Sequence, residues 1–172
     1  MASPVRARRR WRWTCFRDEG ATADDVLSDF RLSEAPINVS YLAKIMGVGL
    51  FPTRRPLCPE WSHEVSVRDR NQAKIFFAAD LPEDEARFAV AHSLGHLLLD
   101  HPIREVRFDL RTNMYGAGES EANDFALDLL CPRSLVERGE LEAVRIANEF
   151  VIPVRWARAR VAGIVRDRER KT

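Results

Sequence analysis

Phe88-Ala-Val-Ala-His92-Ser-Leu-Gly-His96-Leu-Leu-Leu-Asp100-His101 sets two imidazoles four residues apart in an otherwise apolar run. On a helix, positions i and i+4 stack on one face. Both side chains can therefore point at one metal ion. From Ala86 to Leu99 the run is apolar nearly all round, which predicts a helix buried in the core. His92 and His96 then lie inside the protein. Gly95 between them costs about 1 kcal/mol against alanine in a helix interior. A close helix or strand neighbour would account for that glycine. Pro82 at the first helical position and the acids Glu83 to Glu85 favour a helix start, and Asp100-His101-Pro102 ends it.

A second helix is legible in Glu119-Ser-Glu121-Ala-Asn-Asp-Phe125-Ala-Leu-Asp128-Leu-Leu-Cys131-Pro132. Ala122, Phe125, Ala126, Leu129 and Leu130 repeat at helical spacing. Glu119 shares their face and points at the core. Glu121 aligns with Asp124 and Asp128 on the polar face. A core-directed carboxylate is expensive unless a cation meets it. A metal held by two buried histidines would meet it.

Around these two helices the rest of the chain reads as scaffold. Asp24 to Phe30 is a short helix. Asn38 caps a helix that runs through Val39, Leu42, Ala43 and Met46 and stops at Gly47. Three strands follow: Val48 to Phe51, ended by Pro52; His63 to Arg68, which alternates; and Ala73 to Ala79, continuously apolar. Asp69 to Gln72 is a hairpin turn between the last two. Arg104 to Gly118 is a loop or a short extended piece. Ser134-Leu-Val-Glu137 reads as a capping box opening a helix through Leu141, Val144, Ile146 and Phe150. Pro153 breaks that helix, and Val154 to Val165 is the last one. The final pair reads as packing helices, because the turn lacks glycine and the arginines are balanced by acids. The fold class is α+β: a small, mostly antiparallel three-stranded sheet against the histidine helix, the Glu119 helix and a C-terminal helical pair.

Length and composition set the frame. The chain has 172 residues, enough for one domain with a real core. Residues 23–172 are taken as that domain and residues 1–22 as a basic, aromatic extension. In it Arg6, Arg8, Arg9, Arg10 and Arg12 interleave with Trp11 and Trp13. It reads as a tail that packs its tryptophans on the domain. It is also the only segment that suggests nucleic acid. A formal net charge of +1 implies no global pull toward nucleic acid or membrane. No run approaches the roughly 18 apolar residues of a membrane span. The N-terminus lacks the apolar core of a secretory signal. Cys15, Cys58 and Cys131 are an odd count without C-x-x-C spacing, which fits a reducing cytoplasm.

His92, His96 and Glu119 make a three-ligand set with one open position, the arrangement of catalytic zinc. Such a site keeps net positive charge, which activates water and polarises a peptide carbonyl. His92-Ser-Leu-Gly-His96 is the metal-gripping half of the H-E-x-x-H zinc-protease motif. The other half is altered, because Ser93 stands where that motif has glutamate.

Two linked motifs in the right order resemble the ImmA/IrrE family of metallo-endopeptidases over roughly residues 36 to 165. They are Arg87-Phe-Ala-Val-Ala-His-Ser-Leu-Gly-His-Leu-Leu-Leu and Glu119-Ser-Glu-Ala-Asn-Asp-Phe-Ala-Leu-Asp-Leu-Leu-Cys-Pro132. Ile37-Asn-Val-Ser-Tyr-Leu-Ala43 adds to the likeness. The resemblance implies a zincin-like fold with His92, His96 and Glu119 as Zn2+ ligands. Members typically cleave a helix-turn-helix repressor and so switch on mobile-element, phage or stress-response genes. At the position of Ser93 the family has the glutamate that acts as general base. A serine hydroxyl is too short to replace it and cannot take up a proton load near neutral pH. Three readings stay open: a naturally inactive member, an engineered variant, or a member that recruits another base. His101 and Glu64 are the bases to consider, while Glu121 faces the wrong way. Tyr115 is a candidate oxyanion donor. The function expected is therefore impaired zinc proteolysis of a repressor. The alternative is a pseudopeptidase that binds a repressor or antitoxin-type protein without cutting it.

Overall fold

The structure is a computed structural model that describes residues 22–54, 63–68, 72–101, 106–108 and 118–171, with the backbone alone at 63–68, 72 and 106–108. The arginine- and tryptophan-bearing extension, Cys15, Cys58 and the 69–71 turn lie outside the described residues.

Seven helices and four strands are present among the described residues. Helix α1 (Ala23–Asp29) starts from a reciprocal cap between Thr22 and Asp25. Helix α2 (Val39–Ile45) is capped as its sequence predicts. Asn38 Oδ1 accepts from the Tyr41 amide at 2.9 Å, and Gly47 follows the helix with φ +75°. Its buried residues are Val39, Leu42 and Ala43.

Strands β1 (Val48–Thr53), β2 (His63–Arg68), β3 (Gln72–Ala78) and β4 (Val106–Phe108) form one sheet in the order β1-β3-β2-β4. The α+β class holds, but in place of the small, mostly antiparallel sheet of three strands there are four, and the β1–β3 pairing is parallel. Strand β1 pairs parallel with β3, Val48 opposite Ala73 and Thr53 opposite Ala78. Strand β2 pairs antiparallel with β3 on one side and with β4 on the other. The alternation of a strand reveals which face is buried, not which neighbour it takes. Pro52 does not end β1. At the end of the sheet one side of the backbone has no ladder to make, so a residue without an N–H is tolerated. Strand β4 falls within the stretch read as loop or extended. Three residues are too few to show a period.

Helix α3 (Glu83–Leu98) is the centre of the fold. Every residue from Phe88 to Leu98 is buried, as an all-round apolar helix requires. Pro82 stands at its N-cap, one place before the expected position. Helix α4 (Glu119–Leu130) packs along it, with Ala122, Phe125, Ala126, Leu129 and Leu130 inward. Gly95 is explained by that contact. A Cβ there would stand 3.1 Å from the Ala122 carbonyl oxygen and 3.2 Å from its Cα. The missing side chain lets the two helix backbones approach.

The single helix expected from Ser134 to Phe150 is two. Helix α5 (Arg133–Val136) is one turn without a side-chain cap. Helix α6 (Ala143–Phe150) starts anew where Glu142 accepts from the Arg145 amide. Gly139 lies between them and weakens a continuous helix. Helix α7 (Val154–Glu169) returns after Pro153, and its Trp156 stacks on Phe88 with centroids 4.4 Å apart.

Arg87 ties these parts together. Its guanidinium donates to the carbonyls of Ile37 at 2.7 Å and Val151 at 3.1 Å. Val151 sits at φ +51°, unusual for a β-branched residue, at the turn between α6 and α7. Arg87→Met keeps the aliphatic stem and removes both donors. It is expected to lower stability by about 1–3 kcal/mol, the cost of leaving such acceptors unsatisfied. Urea unfolding checks this, and an unchanged midpoint would refute it.

Candidate metal centre

His92 and His96 project from the buried middle of α3, one turn apart. Glu119 is the first residue of α4, and its face of that helix turns toward α3. The helix pairing permitted by Gly95 brings the three side chains together. His92 Nε2 lies 3.1 Å from Glu119 Oε2, His96 Nε2 lies 3.3 Å from Oε1, and the two Nε2 atoms are 2.9 Å apart. One donor atom from each residue falls within 4.8 Å of the others, a group that could hold a metal ion. Both imidazoles are fully buried and Glu119 is 8% exposed.

The donor chemistry favours a cation. Asn123 Oδ1 lies 2.9 Å from His92 Nδ1. An amide oxygen only accepts, so the hydrogen sits on Nδ1 and a neutral His92 turns a bare Nε2 lone pair inward. Glu119 Oε2 is buried without a hydrogen-bond partner. Lone pairs and a carboxylate crowded this closely repel unless something positive stands among them. A proton on an imidazole is one solution. Burial alone would raise the Glu119 carboxyl, but where the imidazoles carry that proton, donation from His92 and His96 and their positive charge outweigh it and hold the carboxyl down at about 2. Glu119 therefore stays ionised far below neutral pH. A divalent cation is the other solution, and this set of two imidazoles and one carboxylate suits it.

Ser93 is placed differently. It is fully buried, and its hydroxyl donates to the Ala89 carbonyl at 2.8 Å, one turn back along the same helix. The oxygen is committed to the helix backbone and joins none of the three donors. His101 does not approach the inner side of the site either. It lies behind His96, with Nδ1 2.9 Å from the outer nitrogen of that ring. Glu64 is on β2, where the backbone alone is described, and Tyr115 lies outside the described residues. Glu121 faces away from the three donors, as expected, yet it is not idle. Its carboxylate accepts from His101 Nε2 at 3.0 Å.

Sequence reasoning missed the role of Asn123. It lies one turn after Glu119 on the same inward face, and a buried polar residue beside a carboxylate was the available signal. Cys131 is buried, and burial pushes its thiol up to about 12, which fits an inert core residue.

Among the described residues no helix is long and apolar enough to cross a membrane. No curated protein matches the chain. A family model described as an IrrE N-terminal-like domain matches residues 55–171, a span that includes α3, α4 and the whole His92–His96–Glu119 group. That match covers more than half of the sequence, and on its strength the chain belongs to the ImmA/IrrE metallopeptidase family.

Proposed function

We propose that this chain holds zinc between His92, His96 and Glu119 and grips a helix-turn-helix repressor, with peptide cleavage cut down by the loss of the base at position 93. One observation carries the reading: the three donors stay assembled while Ser93 Oγ is tied to the Ala89 carbonyl. The two imidazole nitrogens, borderline donors, favour zinc over a hard cation. The chemistry such an ion supplies when bound is polarisation of a peptide carbonyl.

The chain's own residues supply less than a working peptidase needs. Hydrolysis requires a group that takes a proton from water and delivers it to the leaving amine. A positioned carboxylate does this, and its absence typically costs about 10²–10⁴-fold. Serine has no basic form near neutral pH, and this one already donates its hydrogen to backbone. Binding does not need that proton transfer. An extended segment of a partner can add to a sheet edge whether or not it is cut. The repressor as partner follows from the family likeness.

The test is to incubate the zinc-loaded protein with the helix-turn-helix repressor encoded nearest to it. A stable complex with an intact repressor is the expected result. Fragments that vanish in His92→Ala would make the chain a working endopeptidase. Neither complex nor fragments would remove the repressor from the proposal.

A further inference from the structure

We propose that His101 and Glu121 are positioning residues that lock His96 in the tautomer baring its inward nitrogen. The inference rests on the reading of His92, His96 and Glu119 as zinc ligands, and it concerns residues outside that set.

The end of α3 brings His101 into place. Asp100 takes a left-handed conformation, φ +55°, just past the helix. The His101 amide then donates back to the His96 carbonyl at 3.1 Å, the bond that closes a Schellman turn. This turn folds the His101 ring against the His96 ring, edge to face, with centroids 5.0 Å apart. Gly118 provides the seat. Its φ of +91° favours glycine, and a Cβ there would stand 2.8 Å from His101 Nδ1. Gly118 is also the N-cap of α4, directly before Glu119. The ligand and the support behind the other ligand thus share one turn of chain.

The hydrogens follow from the partners. Glu121 is a carboxylate, so the hydrogen between it and His101 belongs to His101 Nε2. A neutral His101 then has a bare Nδ1. His96 Nδ1, 2.9 Å away, must donate to it. In a neutral His96 that leaves Nε2 without hydrogen, facing Glu119 and His92. Asn123 performs the same service for His92. The two imidazoles are therefore set by two unrelated neighbours. Such outer partners fix ring orientation and raise ligand basicity, and losing one typically weakens metal binding about 10–100-fold.

Chelator competition for zinc, with the full chain and variants, tests this. His101→Leu should bind zinc about 10–100-fold more weakly. His101→Asn should stay close to the parent, because its amide oxygen can accept from His96 Nδ1 in place of the ring nitrogen. Glu121 is 73% exposed, so Glu121→Gln should lose less than about fivefold. In the metal-free chain, NMR of the ring nitrogens should find hydrogen on Nδ1 of both His92 and His96. In His101→Leu the His96 ring should lose that preference. Zinc binding by the parent and equally by His101→Leu would overturn this inference and leave the ligand reading standing. Equal loss in the Leu and Asn variants, matched by a fall in metal-free melting temperature, would make His101 a packing residue and also overturn it. A parent that takes up no zinc would remove the ligand reading itself.

Discussion

Ser93→Glu is expected to raise peptide hydrolysis by the zinc-loaded chain about 10²–10⁴-fold, the usual contribution of a positioned general base. The reason is local. Position 93 follows His92 directly on α3, within the turn that spans the two imidazoles. Serine spends its hydroxyl on Ala89, one turn back. A glutamate has no hydrogen to give that carbonyl at neutral pH, so it has no reason to fold back along the helix. Its longer stem carries a carboxylate toward the donors, where the positive charge of a loaded site favours it. The substitution adds volume at a fully buried position. Overpacking there costs about 1–3 kcal/mol, which for a domain of this size lowers the melting temperature by roughly 2–12 °C. Melting curves therefore accompany the assay. A Ser93→Glu chain that stays folded, loads zinc and still cuts no repressor or peptide would show that position 93 is not what limits hydrolysis.

The meeting of His92, His96 and Glu119 was legible in the sequence for a physical reason. A spacing of four inside an all-apolar run determines both the face and the burial of His92 and His96. The i, i+3 rule places Glu119 on the inward face of its helix. These are local relations, set by helical geometry alone. Sheet pairing is not local. Val48 to Phe51 reads as a strand from its residues, but nothing in those residues says which strand lies beside it or in which direction. Glu121 escaped for a different reason. Its place on the polar face is correct, yet polar does not mean distant from the centre. The left-handed Asp100 turns the chain back so that His101 reaches over to it. A helical wheel of α4 contains no information about the end of α3. The break between α5 and α6 is similar: Ser134 and Glu137 have capping-box spacing, but the helix closes after one turn and Glu142 caps the next.

Glu119→Gln is expected to weaken zinc binding by about 10²–10³-fold while leaving the fold in place. Structural zinc binds with roughly 10–16 kcal/mol shared over four ligands, or about 2.5–4 kcal/mol each. This substitution tests the centre more sharply than removal of a histidine. Loss of the His92 ring would strand Asn123 Oδ1, and loss of the His96 ring would strand His101, so both would disturb the metal-free protein too. Glutamine keeps the shape of Glu119. Its amide N–H can also donate to the bare imidazole nitrogens that a carboxylate repels. The readout is thermal. At one hundred times its dissociation constant, zinc stabilises the parent by about 2.7 kcal/mol, a rise in melting temperature of roughly 5–11 °C. At the same zinc concentration Glu119→Gln should show almost none of that rise, with a metal-free melting temperature near the parent's. A full zinc-induced rise in Glu119→Gln would mean that the ion sits elsewhere, on exposed carboxylates or on residues outside this cluster. The convergence of His92, His96 and Glu119 would then be a packing feature of two close helices.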